Sequence, residues 1–329
     1  MDQNRCGHSA LELTPIGLGT WAMGGSGWQF SWGAQDDEQS IKTIEKAVEL
    51  GINWIDTAPA YGRGHAEEIV GKALRRLSGR PVIATKCGRL FDGNGQIYSN
   101  LRRKSIFQEA DQSLKRLGID AIDLYQIHWP FPKEQIEEGW DAVSRLIESG
   151  KARFGGVSNF SPEQIKRIQP IGPVTSLQPP YSMLERRIEE NILPFCRSEG
   201  IGVIVYSPMQ KGLLSGKITR ERIEAFDPED HRRRDPMFQE PERTVTLDLI
   251  EKLSAMAGRS GRPLSHLAIA WVLRNPAVTA AIVGARSPAQ IEETVRAAEW
   301  KLGDAETGEI ETLLAERVDR LRRMKSQQE

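Results

Sequence analysis

The stretch Trp54-Ile55-Asp56-Thr57-Ala58-Pro59-Ala60-Tyr61-Gly62 sets the pattern for the rest of the chain. An apolar run from Ile52 to Ile55 predicts a short buried strand, and this strand ends on the carboxylate of Asp56. Pro59 then forces a loop, because it fixes φ and its predecessor avoids the helical region. The loop delivers Tyr61 just beyond the strand end. An acid and a phenol so placed can handle a proton, but a surface Asp that starts a turn and a Tyr packed on the core would look the same.

Length and composition bound the class of protein. The 329 residues suffice for one large α/β domain or two smaller ones. Hydrophobic residues make up 39% and charged residues 27%, which is typical of a soluble globular protein. Because 44 Lys and Arg balance 45 Asp and Glu, no bulk charge favours binding to nucleic acid or to an anionic membrane.

The cysteines and apolar runs bear on the cellular setting. Cys6, Cys87 and Cys196 are few, far apart and form no CxxC pair, so a reducing, cytoplasmic setting is expected. No basic segment followed by a long apolar run marks a signal peptide at the N-terminus. The longest apolar run, Leu267–Leu273, is too short to cross a membrane as a helix.

Short apolar strands alternate with amphipathic helices along the whole chain, without a linker or a break in composition. Such alternation requires parallel strands joined by helical crossovers, and eight units close into a (β/α)8 TIM barrel. We therefore predict one domain over 1–329, with an N-terminal hairpin around Gly7-His8, extra C-terminal helices, a long loop at 209–242 and a frayed end from Lys325 to Glu329. The predicted strands are Ile16–Trp21, Ile52–Asp56, Pro81–Lys86, Ile122–His128, Arg153–Val157, Val174–Leu177, Gly202–Tyr206 and Ala280–Val283.

One motif would indicate a dinucleotide-binding Rossmann fold, and we reject this interpretation. Gly17-x-Gly19-x-x-Ala22 matches the looser dinucleotide fingerprint, which needs a helix to open at the glycines. Here Gly24, Gly25 and Gly27 follow instead and exclude a helix. The aromatic residues after them, Trp28, Phe30 and Trp32, are interpreted either as loop packing or as the wall of an apolar substrate pocket.

The strand ends carry the chemistry, because all C-terminal ends of barrel strands lie on one face. These ends are polar throughout: Asp56, Lys86, His128, Asn159, Gln178, Ser207 and Arg286. A carboxylate, an ammonium and an imidazole on successive strands, with Tyr61 beside the first, predict one site. The ammonium of Lys86 would lower the pKa of Tyr61 towards working pH, and Asp56 would be the partner of Lys86. The set suits delivery of a proton to a carbonyl oxygen, with a hydride cofactor as the electron donor.

Two rival uses of these residues are less favoured. His8, His65, His128, His231 and His266 are scattered and form neither HxH nor HExxH, so no metal site is predicted. Cys87 next to Lys86 could be a reactive thiolate, but a small buried residue pointing away from the site is the favoured interpretation.

The motifs together resemble the aldo-keto reductases, with the greatest similarity to the bacterial branch that contains the general stress and inositol-related reductases. The resemblance covers nearly the whole length. Its motifs are Gly19-Thr20-Trp21, Asp56-Thr57-Ala58-x-x-Tyr61-Gly62, Ala84-Thr85-Lys86, Asp123-Leu124-Tyr125-Gln126-Ile127-His128-Trp129-Pro130, Gly156-Val157-Ser158-Asn159-Phe160, Gln178-Pro179-Pro180-Tyr181, Gly212-Leu213-Leu214-Ser215-Gly216-Lys217 and Gly284-Ala285-Arg286.

The resemblance implies a catalytic tetrad of Asp56, Tyr61, Lys86 and His128, with Tyr61 as the general acid. It also implies NADPH/NADP+ bound across the barrel mouth. Near the nicotinamide it places Thr20, Trp21, Asp56, Ser158, Asn159, Gln178 and Tyr206; along the pyrophosphate it places Ser207, Pro208, Met209, Gln210, Lys211 and Gly212. On the adenosine side it places Lys217, Arg232, Gly284, Ala285, Arg286, Gln290 and Glu293. The family often has Asn where this chain has Thr294. Arg233 and Arg234 can equally be residues of a solvated loop.

The expected function is NADPH-dependent reduction of small aldehydes or ketones to alcohols, reversibly, in the cytoplasm. The alternative is a non-catalytic nicotinamide-binding regulatory subunit of the same fold. A monomer is expected, and the substrate is not readable from the sequence.

Overall fold

The computed structural model describes residues 1–326, and in this part of the chain eight parallel strands close into a barrel surrounded by helices, as predicted. The barrel order is β10-β11-β12-β3-β4-β5-β8-β9, closed by pairing of β9 with β10. The strands are β1 (Asn4–Arg5), β2 (Glu12–Leu13), β3 (Ile16–Gly19), β4 (Trp54–Asp56), β5 (Val82–Cys87), β6 (Arg89–Phe91), β7 (Ile97–Ser99), β8 (Ile122–Ile127), β9 (Ala152–Ser158), β10 (Ser176–Gln178), β11 (Gly202–Val205) and β12 (Ala280–Gly284).

The helices fill the connections between barrel strands. The α-helices are α1 (Asp37–Glu49), α2 (His65–Leu74), α3 (Arg103–Leu117), α4 (Ile136–Glu148), α5 (Pro162–Ile168), α6 (Ile192–Glu199), α7 (Arg220–Glu224), α8 (Glu242–Arg259), α9 (Leu264–Leu273), α10 (Pro288–Val295) and α11 (Asp304–Ser326). The backbone of Lys325 and Ser326, at the start of the stretch expected to be frayed, continues α11; the last three residues lie outside the described part. No described helix is both long and apolar enough to cross a bilayer.

Local sequence explains where these helices begin and end. Asp36 caps α1 by accepting a hydrogen bond from the backbone of Gln39, and Ser161 and Gln164 form a reciprocal capping box on α5. Gly118 and Gly200 end α3 and α6 in the left-handed conformation that glycine adopts without strain. These helices therefore begin or end at positions that their own cap residues set.

The floor of the barrel is apolar and closed. Strand residues that point inward, among them Trp54, form one cluster with apolar residues of the β1–β2 hairpin, whose Leu13 is fully buried. The indole of Trp54 fills the space beside Gly17 and donates to the carbonyl of Thr14 at 2.9 Å. The predicted N-terminal hairpin thus caps the end of the barrel opposite the site, and it keeps water out from below.

Two connections differ from the sequence-based expectation. A second antiparallel hairpin, β6–β7, was not predicted, and it follows β5 directly at the mouth. The 209–242 segment was predicted as a long loop, but it contains α7 and short 3₁₀ turns at Gln210–Ser215, His231–Arg234 and Pro236–Phe238. Buried Phe226 and Phe238 anchor this segment, so it is a packed wall of the mouth.

The close packing of Gly17 against Trp54 in the barrel floor can be tested by substitution. Gly17→Ala is expected to lower the free energy of unfolding by about 1–3 kcal/mol, because overpacking displaces neighbours. The new Cβ would lie 2.0 Å from the Trp54 ring. Gly258→Ala, in α8 with no atom within 4 Å, is the control, and it should be neutral or stabilising by up to about 1 kcal/mol. Urea unfolding followed by circular dichroism measures both, and equal effects would contradict the packing argument.

Candidate active site

The site is built by the two-residue period of the barrel strands. In a strand, every second side chain points to the same face of the sheet. A residue that points into the floor of the barrel is therefore followed, two positions later, by one that points inward nearer the mouth. Trp54 thus precedes Asp56, Ala84 precedes Lys86, and Leu124 precedes Gln126. Lys86 and Gln126 are direct partners in the β5–β8 register. The floor therefore fixes which polar side chains converge above it.

The ammonium of Lys86 is the centre of this layer and is fully buried. Its Nζ donates to Asp56 Oδ1 at 2.6 Å, to the carbonyl oxygen of Thr57 at 3.0 Å and to the Tyr61 hydroxyl at 3.1 Å. An ammonium has three N–H donors and no acceptor, so all three are used. The hydroxyl of Tyr61 must then accept from Lys86, and its own proton is free to point into the cavity.

Asp56 is satisfied on both oxygens. While Oδ1 accepts from Lys86, Oδ2 accepts from the amide Nε2 of Gln178 at 2.8 Å. The same amide lies 3.4 Å from Gln126 Oε1. Gln126 belongs to one of the sequence motifs, but it was not predicted to be a site residue. Its position opposite Lys86 in the β5–β8 register is the feature that could have identified it. The ion pair is thus tied to strands β4, β5, β8 and β10 at once.

Tyr61 follows the Pro59 loop just beyond the strand end, as the sequence predicted, and it begins a 3₁₀ turn, Tyr61–Gly64, that was not predicted. Gly62 has φ 61° and faces Gly24 so closely that a Cβ would meet the Gly24 oxygen at 2.1 Å. Only glycine fits both the conformation and the contact. This approach of two loops places the phenol, 6% exposed, over the Lys86 ammonium.

The expectation that Lys86 lowers the pKa of Tyr61 is wrong for this structure. Burial raises the pKa of Tyr61 well above its ordinary value, and the negative charge of Asp56 raises it further. The field of Lys86 is largely offset by Asp56 at 2.6 Å, so it does not outweigh the lost hydration of a phenolate. The phenol therefore holds its proton at neutral pH, which is the state a proton donor needs.

His128 stands beside the phenol. The two rings meet edge to face with centroids 5.9 Å apart, and the His128 backbone N–H donates to the Cys87 carbonyl at 3.0 Å. Burial lowers the pKa of His128 well below its ordinary range, and the positive charges of Lys86 and Arg89 lower it further. The imidazole is therefore neutral, and it can donate one hydrogen bond and accept another.

A cavity of about 510 Å³ opens above these groups, a size found for small-molecule sites. One wall is aromatic: the rings of Trp21 and Tyr61 lie 5.4 Å apart, and the rings of Trp21 and Trp28 lie 5.8 Å apart. Of the two interpretations of the Trp28–Trp32 stretch, the structure shows both, because these rings pack on one another and line the cavity. His231 stacks against Trp21 and Trp32, which joins the 209–242 segment to this wall.

Most sequence-predicted residues line this cavity. The exceptions are Lys86, buried beside Tyr61, and the side chains of Gln210 and Ala285. Gln210 accepts from Ser182 at 2.9 Å and points away from the cavity, while Ala285 belongs to the outer core. Residues missed by the sequence reasoning also line it, including Arg89, Ile97 and Arg222.

Four of the residues that the resemblance places near the nicotinamide, Ser158, Asn159, Gln178 and Tyr206, form a hydrogen-bond network of their own. Ser158 donates to the Gln178 carbonyl at 2.8 Å, and Asn159 Nδ2 donates to the carbonyl of His128 at 3.1 Å. Tyr206 donates to Asn159 Oδ1 at 2.9 Å. Asn159 adopts φ 62°, which is uncommon outside glycine and favours Asn among other residues. These side chains are held rigidly at the mouth, and Gln178 Oε1 accepts no hydrogen bond within the described residues.

Cations cluster at the end of the cavity near β12. Three of them pair with an acid: Lys217 pairs with Glu293 at 2.7 Å, and Arg232 pairs with Asp230 at 2.6 Å. Lys211 likewise pairs with Asp235.

Arg286 differs from these pairs. It donates to Gln35 Oε1 at 2.7 Å and to the backbone oxygens of Ala34 and Trp32, and it forms no ion pair with a described carboxylate. Burial lowers the pKa of Arg286, and the charge of Arg232 adds to the decrease. The charge of Arg286 is therefore left for an anion.

The described residues support neither a reactive thiolate at Cys87 nor a metal site. Cys87 is buried, its Sγ lies 3.5 Å from the Gln126 carbonyl, and burial raises its pKa well above the ordinary value. A thiol in this state is not a reactive thiolate. Among the described residues no three His, Cys, Asp or Glu side chains come together as a metal site would require.

Comparison with known proteins agrees with this geometry. Residues 15–315 match the Aldo/keto reductase family. The chain is 40% identical to Aldo-keto reductase YhdN of Bacillus subtilis, over 95% of this chain and 94% of that protein. It is 37% identical to the NADH-specific methylglyoxal reductase of Escherichia coli, over 96% and 98%. The solved glycerol dehydrogenase of Gluconobacter oxydans superposes with a TM-score of 0.88 at 38% identity, covering 96% of each chain.

The buried ion pair yields a stability prediction. Asp56→Asn should lower the free energy of unfolding by about 3–5 kcal/mol, because it leaves the ammonium of Lys86 buried without a counter-ion. Glu49→Gln is the control, since it removes an exposed ion pair with Lys46 and should cost less than about 1 kcal/mol. Chemical denaturation at pH 7 measures both values. Similar losses for the two variants would contradict a dominant role for the buried pair.

Proposed function

The chain belongs to the aldo/keto reductase family, a family of oxidoreductases that use nicotinamide cofactors, and from this premise we propose that it reduces small aldehydes and ketones with NADPH, reversibly. One observation carries the proposal. The three N–H donors of Lys86 are all used, one of them on Tyr61, so the phenolic proton faces the cavity. A carbonyl oxygen in hydrogen-bond range of that phenol is positioned to receive it.

A bound NADPH would supply the hydride for the carbonyl carbon. Tyr61 gives its proton to the carbonyl oxygen as negative charge develops there, and Lys86 donates a hydrogen bond to the phenolate that is left. His128, neutral and next to the phenol, orients the carbonyl oxygen by a hydrogen bond. The aromatic wall excludes water from this step, which strengthens each of these interactions.

The residues at the mouth fit such a cofactor. Gln178 Oε1 is left as an acceptor for a carboxamide N–H, within the rigid cluster of Ser158 and Asn159. Arg286 and Arg222 line the other end and form no ion pair with a described carboxylate, which suits a phosphate monoester. The relative in Escherichia coli is named NADH-specific, so identity alone does not choose the cofactor; the unmatched charge of Arg286 favours NADPH.

We also propose where in the cell the protein is located. All three cysteines are free and buried, which supports a reducing, cytoplasmic location. The expectation of a monomer stays a prediction.

Tyr61→Phe tests the proton donor. It should lower kcat with NADPH and an aldehyde panel by about 10²–10⁴-fold, because general acid catalysis is lost. The Kd for NADPH, measured by fluorescence titration, should change by less than about threefold, since the ring and its packing are kept. A variant with normal turnover would refute the role of Tyr61. Wild-type protein that binds NADPH tightly but reduces no carbonyl would instead favour the non-catalytic regulatory subunit.

Arg286→Gln tests the cofactor choice. The Kd for NADPH should rise by about tenfold or more and that for NADH by less than about twofold, because only the former carries the 2′-phosphate. Arg153→Gln, at the start of β9 and remote from the mouth, is the control. Arg232→Ala is expected to weaken NADPH more than NADH as well, and it should also destabilise the fold by leaving buried Asp230 unpaired. Equal losses for both cofactors in Arg286→Gln would remove Arg286 from a phosphate site.

A further inference from the structure

We propose that Arg89 binds an anionic group on the carbonyl substrate, a carboxylate or a phosphate, so that the enzyme prefers aldehydes or ketones that carry such a group. The inference rests on the proposed carbonyl reduction and specifies the substrate class of the same cavity.

Arg89 reaches the cavity through a turn that the fold enforces. Gly88 follows β5 with φ 85°, and a Cβ there would meet Leu101 at 2.5 Å. Its backbone N–H donates to the buried carboxyl of Glu109 at 2.8 Å. The chain therefore turns after Cys87 and begins the β6–β7 hairpin with Arg89 at the mouth.

The position of Arg89 is at the reacting end of the cavity. Cys87 pairs with Ile127 in the β5–β8 register, and the next residue, His128, donates its backbone N–H to Cys87. Arg89 and His128 thus lie on neighbouring strand ends, and both line the cavity. Strand β12, which precedes Arg286, is three strands away in the barrel order, so the two arginines face different parts of the mouth.

The charge of Arg89 is unmatched. Within the described residues its guanidinium has one acceptor, the hydroxyl of Ser99 at 2.9 Å, and it forms no ion pair with a carboxylate. By contrast, Lys211, Lys217 and Arg232 in the same cavity each pair with an acid. A half-buried cation without a counter-ion is costly, and an anion brought by the ligand would offset that cost.

Two electrostatic consequences agree with this placement. Burial lowers the pKa of Arg89, and the charge of Arg89 contributes to the low pKa of His128. An anion bound at Arg89 would relieve the first effect. Both effects agree with a guanidinium that is partly buried and close to His128 in the lining of the cavity.

The chemistry of the guanidinium specifies the ligand. Arginine offers five N–H donors in a planar fork that matches the oxygens of a carboxylate or phosphate, and Ser99 uses only one of them. Ile97 and Trp129 also line the cavity and offer apolar surface for a short carbon chain. The pocket therefore suits a carbonyl at Tyr61 and an oxyanion at Arg89 on one small molecule.

Matched substrates test the inference. Initial rates with NADPH are measured for 4-oxobutanoate against butanal, and for glyceraldehyde 3-phosphate against glyceraldehyde. The wild type should show a higher kcat/KM for the charged member of at least one pair. Arg89→Gln should lower that kcat/KM by about tenfold or more, mainly through KM, and change the neutral partner by less than about threefold. Arg89→Lys should keep an intermediate value. Arg153→Gln is the control, because Arg153 is exposed at the start of β9 and does not line the cavity.

The outcomes separate this inference from the proposed function. If Arg89→Gln loses kcat/KM for the charged substrate of only one pair, that pair shows whether the carboxylate or the phosphate is the recognised group. If kcat/KM changes equally for charged and neutral substrates, or does not change for either, the role of Arg89 is overturned and carbonyl reduction stays intact. If no aldehyde is reduced, calorimetric titration with succinate and with inorganic phosphate decides: binding that Arg89→Gln abolishes and Arg153→Gln retains sustains the anion site. Absence of both turnover and binding overturns both proposals.

Discussion

A fully buried ammonium is the constraint on which the site depends. Removing a charge from water is tolerable only when every donor finds a well-placed acceptor. Lys86 meets this condition with a carboxylate, a backbone carbonyl and a phenol from the stretch Asp56–Tyr61. Because Asp56 in turn accepts from Gln178 on the far side of the barrel, a shift of any of these strands would leave a buried polar group unpaired. The need to satisfy one cation thus fixes the register of the strands and the position of the phenol together.

Much of this arrangement was predictable because it follows from local patterns. Alternation of apolar strands with helices gave the closed barrel, and the polar residues at strand ends gave Asp56, Lys86 and His128. Pro59 marked the loop that carries Tyr61. The β6–β7 hairpin was missed although Asp92-Gly93-Asn94-Gly95 is a strong turn signal, because its strands are only three residues long. What holds that hairpin, Arg63 over Phe91, is a contact between distant residues that no local pattern contains.

Charge states were the least predictable part of the site, because they depend on what surrounds a group and not on its type. The sequence placed a lysine near a tyrosine and suggested a lowered pKa, but burial of the phenol and the field of Asp56 reverse the direction. The resemblance likewise grouped Arg232 with Arg286 as phosphate ligands. Both arginines line the cavity, but the structure gives them different partners: Arg232 pairs with Asp230 between the rings of Trp32 and Phe226, whereas Arg286 is held by backbone oxygens and Gln35. The deciding residue, Asp230, lies outside every motif.

The distribution of charge in the cavity also determines which group can act as the acid. Two side chains near the carbonyl position could carry a proton, Tyr61 and His128, and an imidazolium would be by far the stronger acid. The positive charges of Lys86 and Arg89, together with burial, keep His128 neutral, so in the proposed reaction only the phenol delivers a proton. Neutralising Arg89 with a substrate anion removes one of these charges, but burial, the largest cause, remains. The site can therefore accept an anionic substrate without changing the identity of its acid.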